Sequence, residues 1–375
     1  MTMKTLMAMS VALGALMLAG TAQAEIKIGV IAPITGPSAA FGAQIRNGAV
    51  QAVEDINKAG GVNGEKLVVS VGDDASDPKQ GVSVANKFAG EGVKMVVGDF
   101  NSSVSIPVSE ALIEAGIIQI TPASTAIKFT ERGNWNTFRT CGRDDQQGAV
   151  AAAYLADKFK GKKIAFIHDK STYGKGLAEE TLKALKAKGG SAAISESLTP
   201  GEKDFSALVS KLKQANVDVI YFGGYYTEAG LLIRQMRDQG LQAPLMGGDA
   251  LADREFAQVG GPGSEGTFMT FSPDARKNPK AKATIDSFKA IKFEPEGYTL
   301  YSYAAVQILK QAMEATKSTD GQKLAAHLHQ GKPFDTVIGD ISYDKKGDIT
   351  RPDYVMYMWK KGADGSINYA GNEVP

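Results

Sequence analysis

The 375-residue chain is predicted to be an α/β protein with two lobes, each built around a doubly wound parallel sheet. Strand-like apolar runs alternate with helix-like segments over residues 26–120, which is the βαβ order that builds parallel sheets. The alternation restarts near residue 147 and continues to about residue 248. Two series of similar size predict two similarly built lobes. No linker rich in Pro, Gly and Asn separates them, as expected if the chain crosses between lobes more than once.

Hydrophobic periodicity defines the elements of the first series. Strands are predicted at 26–32, 67–71, 94–98 and 117–120, and helices at 41–58, 82–89 and 104–114. The first helix stops at Gly60 and Gly61, and the second follows Asp77 and Pro78. Glycine commonly ends helices, and an Asp-Pro pair commonly starts them.

The second series follows the same pattern and is succeeded by a different kind of region. Helices are predicted at 147–160, 174–188, 204–215 and 228–239, and strands at 163–168, 192–197, 217–222 and, at a sheet edge, 244–248. Beyond it we expect a strand at 267–271 and helices at 280–292 and 300–316. Alternating residues at 339–343 and 354–359 predict two antiparallel strands around the turn at 345–348.

The first 24 residues are predicted to be a cleaved secretory signal peptide. Lys4 precedes an apolar run at 6–18, and the small-x-small sequence at 22–24 is a cleavage site before Glu25. The run is too short for a membrane span, and no Cys follows it that could carry a lipid. The mature protein is therefore expected to begin near Glu25 and to be a soluble periplasmic protein.

Composition argues against several classes of function. The chain carries 42 basic and 41 acidic residues, so nothing suggests nucleic acid as a partner. The single cysteine, Cys141, cannot form an intramolecular disulfide and is expected to be an inert packed thiol. The GxGxxG match at 261–266 precedes a strand rather than following one, and His327 and His329 point to different helix faces. We therefore expect no enzyme activity, no cofactor and no metal.

Small polar residues follow two strands of the first series. Asn101 and Ser102 come after the strand at 94–98, and Thr121 to Thr125 follow the strand at 117–120. Ligands of open α/β sheets bind beyond the carboxyl ends of the strands, where hydroxyls and the free N–H groups of the next helix attract an anion. Ser102 and Thr125 are equally explained as ordinary helix caps.

The second series offers a complementary set of groups. Tyr225 follows one predicted strand, and Asp249 follows another. A carboxylate that faces a donor-rich turn suits a zwitterion, because it pairs with an ammonium while the turn binds a carboxylate. The alternative for Asp249 is a solvated loop residue or a helix cap.

At these residues the chain resembles the periplasmic substrate-binding proteins of branched-chain amino-acid ABC importers, the leucine/isoleucine/valine-binding proteins. The resemblance runs from Ile26 to the end. It rests on long phrases: ITGP at 34–37, DDASDPKQ at 73–80, ITPA at 120–123, DDQQG at 144–148, GEKDFS at 201–206, YFGGY at 221–225 and YDKKGD at 343–348. It implies two lobes joined by three hinge crossings that close on a ligand. The implied lobes are 25–143 with 273–350, and 144–272 with 351–375.

The resemblance also implies a ligand site. Ser102 and the Thr125 N–H would bind the ligand carboxylate, while the Ala123 carbonyl, the Thr125 hydroxyl and Asp249 would bind the ammonium. Tyr225 would contact the same polar head from the second lobe. The side-chain pocket would be walled by Phe41, Phe100, Tyr173 and Tyr298.

Three departures from the family pattern concern this site. Asp249 stands where Glu is usual, which shortens the reach of the carboxylate. Ser76 and Asn101 replace a familiar disulfide, so hydrogen bonds are expected to hold that turn. Phe100 replaces a smaller aliphatic residue and Tyr298 adds a hydroxyl, which predicts a pocket narrowed toward alanine, proline, valine or 4-aminobutyrate.

The predicted function is the solute-binding component of an amino-acid importer, whose partners would be an ABC permease and its ATPase subunits. A monomer is expected. Two alternatives remain open: a binder specific for leucine, isoleucine and valine, and a ligand-sensing protein of the same fold.

Overall fold

A computed structural model describes residues 25–351 and 354–375. The predicted signal peptide, 1–24, lies outside the described residues. The strands are β1 (Glu25–Ala32), β2 (Lys66–Asp73), β3 (Met95–Gly98), β4 (Ile118–Thr121), β5 (Thr137–Arg139), β6 (Ile164–His168), β7 (Ala192–Ser197), β8 (Val219–Gly223), β9 (Leu245–Gly247), β10 (Phe268–Phe271), β11 (Val355–Met358), β12 (Lys360–Lys361), β13 (Ile367–Asn368) and β14 (Glu373–Val374). The helices are α1 (Ala39–Lys58), α2 (Pro78–Gly90), α3 (Ser102–Glu114), α4 (Lys128–Glu131), α5 (Asp144–Lys158), α6 (Thr172–Ala187), α7 (Ser206–Gln214), α8 (Tyr226–Asp238), α9 (Glu255–Gly260), α10 (Lys282–Ala290), α11 (Thr299–Thr316) and α12 (Gly321–Leu328).

The first lobe is built on a parallel sheet with the strand order β2-β1-β3-β4-β5. Every residue of β3 and β4 is buried. Strands covered by helices on both faces read as continuous apolar runs, which explains the runs seen in the sequence. Helices α1 and α11 pack together, and α2 packs against α3.

The second lobe is built on a sheet with the order β14-β11-β10-β9-β8-β6-β7. The strands from β10 to β7 are parallel, whereas β11 is antiparallel to β10 and β14 is antiparallel to β11. Helices α5 and α6 pack together, and α8 packs on α9. The prediction of two lobes with parallel sheets is confirmed.

The chain passes between the two sheets three times. It leaves the first sheet after β5 and enters α5, which packs against β10 and β11. It returns after β10 to reach α11, which packs against β3 and β4. It crosses again before β11, which pairs with β10. The connections near residues 140–143 and 350–351 are therefore neighbours of both lobes.

Two element predictions are wrong. The strand predicted at an edge, β9, lies inside the second sheet and pairs with both β8 and β10. The segments 339–343 and 354–359 do not pair with each other: Tyr343 bridges to Ile349, and β11 pairs with β10 instead. Alternation has the same period in any strand, so it does not identify the partner strand.

The helix starts decide where functional groups lie. Helix α3 begins at Ser102, two residues before its predicted start, and α5 begins at Asp144 rather than Gln147. Both helices follow first-sheet strands and begin where the two lobes meet. None of the helices within residues 25–351 and 354–375 is long and apolar enough to cross a membrane.

Candidate functional site

A small cavity lies where the carboxyl ends of the strands of the two lobes face each other. It is lined by Phe100, Ser102, Ala123, Tyr173, Tyr225, Asp249, Ala250 and Tyr298. Both lobes contribute residues to this lining, from the loops and helix starts that follow the strands. None of the eight lining residues is basic, so any anionic group of a ligand has to be bound by hydroxyl and N–H donors.

The first lobe supplies those donors at the start of α3. Ser102 is the first residue of the helix and is 1% exposed. Its hydroxyl accepts a hydrogen bond from the Ala126 N–H at 3.3 Å, which ties the helix to the loop after β4. N–H groups in the first turn of a helix lack intrahelical acceptors and favour an anion. The cap residue is Asn101, so Ser102 is not the ordinary helix cap that the sequence left open.

The second lobe supplies a buried carboxylate. Asp249 is 2% exposed, which makes the alternative of a solvated loop residue wrong. Its oxygens accept hydrogen bonds from the hydroxyls of Tyr173 (2.7 Å) and Tyr298 (2.6 Å) and from Gln147 Nε2 (3.1 Å). Burial raises the pKa of Asp249 above its ordinary value, and these three donors oppose the rise. An ammonium group would complete this shell of donors and stabilise the charged form.

Aromatic rings close the cavity on its remaining sides. Phe41 stacks on Phe100 with ring centroids 4.4 Å apart, and Tyr298 meets both rings edge-on at 5.6 and 5.8 Å. Tyr225 of the second lobe contacts Phe100 of the first at 5.6 Å. The Tyr298 hydroxyl also bridges the lobes, because Tyr298 precedes α11 while Asp249 follows β9. The lobes are therefore closed on each other.

The structure brings together most of the residues named from the sequence. Seven of the nine line the cavity, and the other two are Phe41 and Thr125. Phe41 lies behind Phe100 and supports its ring. Thr125 is fully buried, and its carbonyl accepts the Asp144 N–H at 3.0 Å.

Sequence reasoning assigned no role to Asp144, Gln147 or Ala250. Asp144 is 1% exposed at the start of α5, and its carboxylate lies beside the Thr125 hydroxyl. Burial raises the pKa of Asp144 to about 8; Thr125 opposes the rise and the Asp249 charge adds to it. Gln147 supports Asp249 and also accepts its backbone N–H at 2.8 Å. In the sequence, the DDQQG phrase at 144–148 was the only indication that Asp144 and Gln147 have a role at the site.

Hydrogen bonds hold the turn that lacks the disulfide, as expected from the sequence. The Ser76 N–H donates to Asp74 Oδ1 at 2.7 Å, and the Ala75 N–H donates to Asp73 Oδ1 at 2.8 Å. Asp74 and Asp99 are fully buried carboxyl groups that lie close to each other. Burial raises the pKa of Asp74 to about 7 and that of Asp99 well above its ordinary range, and the charge of Asp74 adds to the rise at Asp99.

The arrangement is suited to binding rather than turnover. A carboxylate faces a helix start across a closed, aromatic-walled cavity, and both are fixed by buried hydrogen bonds. Across residues 25–351 and 354–375, no cluster of three or more His, Cys, Asp or Glu side chains is placed to hold a metal ion.

Two lobes that close around a small cavity with a buried carboxylate are the arrangement expected of a solute-binding protein. The chain belongs to the periplasmic binding protein family, whose model matches residues 25–364. The comparison thus bears out the family and the fold inferred from the sequence phrases, and it places the chain in a non-enzymatic family.

The relatives are similar over nearly the whole chain. It is 55% identical over 350 residues to Leu/Ile/Val-binding protein homolog 1 of Brucella suis, covering 93% of this chain and 94% of the relative. It is 47% identical over 363 residues to the Leu/Ile/Val-binding protein BraC3 of Rhizobium johnstonii, covering 96% and 98%.

Solved structures agree with this assignment. The leucine-binding protein LivK of Thermotoga maritima has a TM-score of 0.85 at 28% identity, covering 93% of this chain and 99% of that one. LivJ of Streptococcus pneumoniae, solved in complex with isoleucine, has a TM-score of 0.84 at 28% identity, covering 94% and 99%.

Proposed function

We propose that the mature protein, beginning at Glu25, is the periplasmic binding component of an ABC importer for amino acids of the branched-chain class. The observation that carries this proposal is the position of Asp249 opposite the start of α3 in one closed cavity. The ligand class is supported by the names of the relatives, which are Leu/Ile/Val-binding proteins or homologs of them. An ABC permease and its ATPase subunits would receive the bound amino acid.

The binding mode follows from the chemistry of the two lobes. The ligand carboxylate is bound by Ser102 and the Thr125 N–H. The ammonium is bound by Asp249, the Ala123 carbonyl and the Thr125 hydroxyl. Closure removes both charges from water, so each needs a nearly complete set of partners. The ligand shifts the lobes toward the closed form because it contacts both of them only there.

A narrower specificity is the second candidate, and the ring packing favours it. Phe41, Phe100 and Tyr298 contact one another in a cluster of three rings, and Phe100 and Tyr298 of this cluster line the cavity. A rigid ring in a packed wall yields little, so a branched four-carbon side chain would be overpacked. This candidate predicts alanine, proline, valine or 4-aminobutyrate as the preferred ligand over leucine and isoleucine.

One titration series tests both candidates. The protein is unfolded, dialysed and refolded to remove bound ligand, and then titrated by calorimetry with leucine, isoleucine, valine, alanine, proline and 4-aminobutyrate. Tightest binding of leucine or isoleucine supports the branched-chain binder and rejects the narrowed pocket. Preference for alanine, proline, valine or 4-aminobutyrate over both leucine and isoleucine supports the narrowed pocket. Refolded protein that binds none of the six contradicts both.

A further inference from the structure

A fully buried arginine fixes the loop that carries Thr125. Arg139, at the end of β5, is 0% exposed. Its guanidinium donates to the Ser124 carbonyl and, at 2.9 Å, to the Ala126 carbonyl, the two groups on either side of Thr125. The position of Thr125 therefore depends on the position of the Arg139 guanidinium.

Asp348 in turn fixes that guanidinium. Asp348 Oδ1 accepts a hydrogen bond from Arg139 Nε at 2.7 Å, and the Asp348 side chain is 5% exposed. Arg143 Nη1 donates to the other oxygen, Oδ2, also at 2.7 Å. One carboxylate thus joins two arginines in a nearly dry environment, where charge-assisted hydrogen bonds are strong and geometrically specific.

The two arginines belong to different parts of the fold. Arg139 lies in the first sheet, whereas Arg143 lies in the connection to α5 of the second lobe. Asp348 lies just before the connection that leads to β11. The group Arg139, Asp348 and Arg143 therefore joins the ligand loop to two of the three connections between the lobes.

A rotation of the lobes would not affect all bonds of this group equally. Arg143 is also paired with Asp145 of α5 at 2.9 Å and with Glu131 of α4, in the first lobe, at 2.9 Å. Asp348 and Arg139 both lie against the first sheet. An opening rotation that carries Arg143 with α5 would separate it from both Asp348 and Glu131, whereas the Arg139–Asp348 bond stays within the first lobe and the Arg143–Asp145 bond within the second.

We propose that Asp348 is a positioning residue that couples the ligand loop to lobe closure through its simultaneous bonds to Arg139 and Arg143. In the closed form Arg143 adds a charged partner to Asp348, which Thr130 Oγ1 also contacts at 2.9 Å. Asp348 holds Arg139, and Arg139 holds the loop around Thr125. This coupling rests on the proposed function, since it acts on amino-acid binding by residues that lie outside the cavity lining.

The test is a double-mutant cycle read out as binding of L-valine, which both candidate specificities accept. Arg143→Met removes the charge and keeps the side-chain stem, and Asp348→Asn removes the shared carboxylate. Each is expected to weaken valine binding about tenfold, and the double variant is expected to be no weaker than the worse single variant. Asp145→Asn is the matched control: it removes a carboxylate from the same arginine and is expected to change the valine Kd less than twofold.

Several outcomes would overturn the coupling. These are an unchanged valine Kd in Arg143→Met, multiplicative effects in the double variant, and an equal loss in the Asp145→Asn control. A purely structural role would lower the melting temperature in all variants without this pattern in Kd.

Failure of the proposed function is distinguishable from failure of the coupling. Wild-type protein that does not bind valine contradicts the function, and small-angle scattering of the ligand-free proteins then decides the coupling alone. A larger radius of gyration in Arg143→Met than in wild type and Asp145→Asn supports it, and equal radii reject it.

Discussion

Replacement of Asp249 by Asn is the sharpest test of the site. The substitution keeps the size of the side chain and an acceptor oxygen for one tyrosine hydroxyl, but it removes the charge. Asp249 is 2% exposed and already accepts three hydrogen bonds, so the local packing is expected to survive. The ligand ammonium, however, would be buried without its counter-charge.

The expected loss of binding free energy follows from the removal of one charged partner of the ligand in a closed cavity. A hydrogen bond to a charged group contributes about 1.5–3 kcal/mol, and an unpaired buried charge places the effect toward the upper end. Because about 1.4 kcal/mol corresponds to a tenfold change in Kd, valine binding by Asp249→Asn is expected to weaken roughly 30- to 150-fold.

The assay is calorimetric titration of refolded protein with L-valine, with Asp253→Asn as the control. Asp253 is another buried acid in the same loop; it accepts Gln44 Nε2 at 2.7 Å and does not line the cavity. Asn at 253 retains an acceptor for that bond, so the control is expected to stay within about threefold of wild type. Unchanged binding by Asp249→Asn, or equal losses in both variants, would refute the assignment of Asp249 to the ammonium.

Three further predictions concern the same site. Ser102→Ala should weaken valine binding roughly 10- to 100-fold in calorimetry, through loss of a donor to the ligand carboxylate; a change below twofold would contradict that role. Phe100→Leu should raise leucine affinity relative to alanine at least tenfold if the ring narrows the pocket, and an unchanged ratio would reject the narrowing. The free energy of unfolding of ligand-free protein should fall as pH rises from 5 to 8, measured by urea denaturation. The native state keeps the Asp144 proton up to a pKa of about 8, whereas the unfolded carboxyl loses it near 3.8. Asp144→Asn should flatten this dependence, and an equal slope in both proteins would count against the raised pKa.

The order of elements was predictable from the sequence because it depends on local patterns. Apolar runs such as 94–98 mark buried strands, and the residues after them, including Ser102, lie at the carboxyl end of the sheet by geometry alone. The loop carrying Asp249 was predictable for the same reason. Both halves of the cavity could therefore be named before their contacts were known.

Contacts that join distant parts of the chain were not predictable in this way. The place of β9 inside the sheet depends on β10, and the pairing of β11 depends on β10 rather than on its neighbour in sequence. The burial of Asp144 and the bonds of Arg139 to Asp348 likewise join residues far apart in the chain. The sequence around a charged residue does not indicate which distant residue will pair with it when both are buried.

The buried thiol of Cys141 has a practical consequence for measuring motion. It is the only cysteine of the chain and is 2% exposed, so a dye that reacts with thiols finds no accessible native target. One new cysteine on α2 and one on α7 could therefore carry a donor and an acceptor fluorophore on the wild-type background. Energy transfer between them would report the opening and closing of single molecules as an amino acid arrives and leaves.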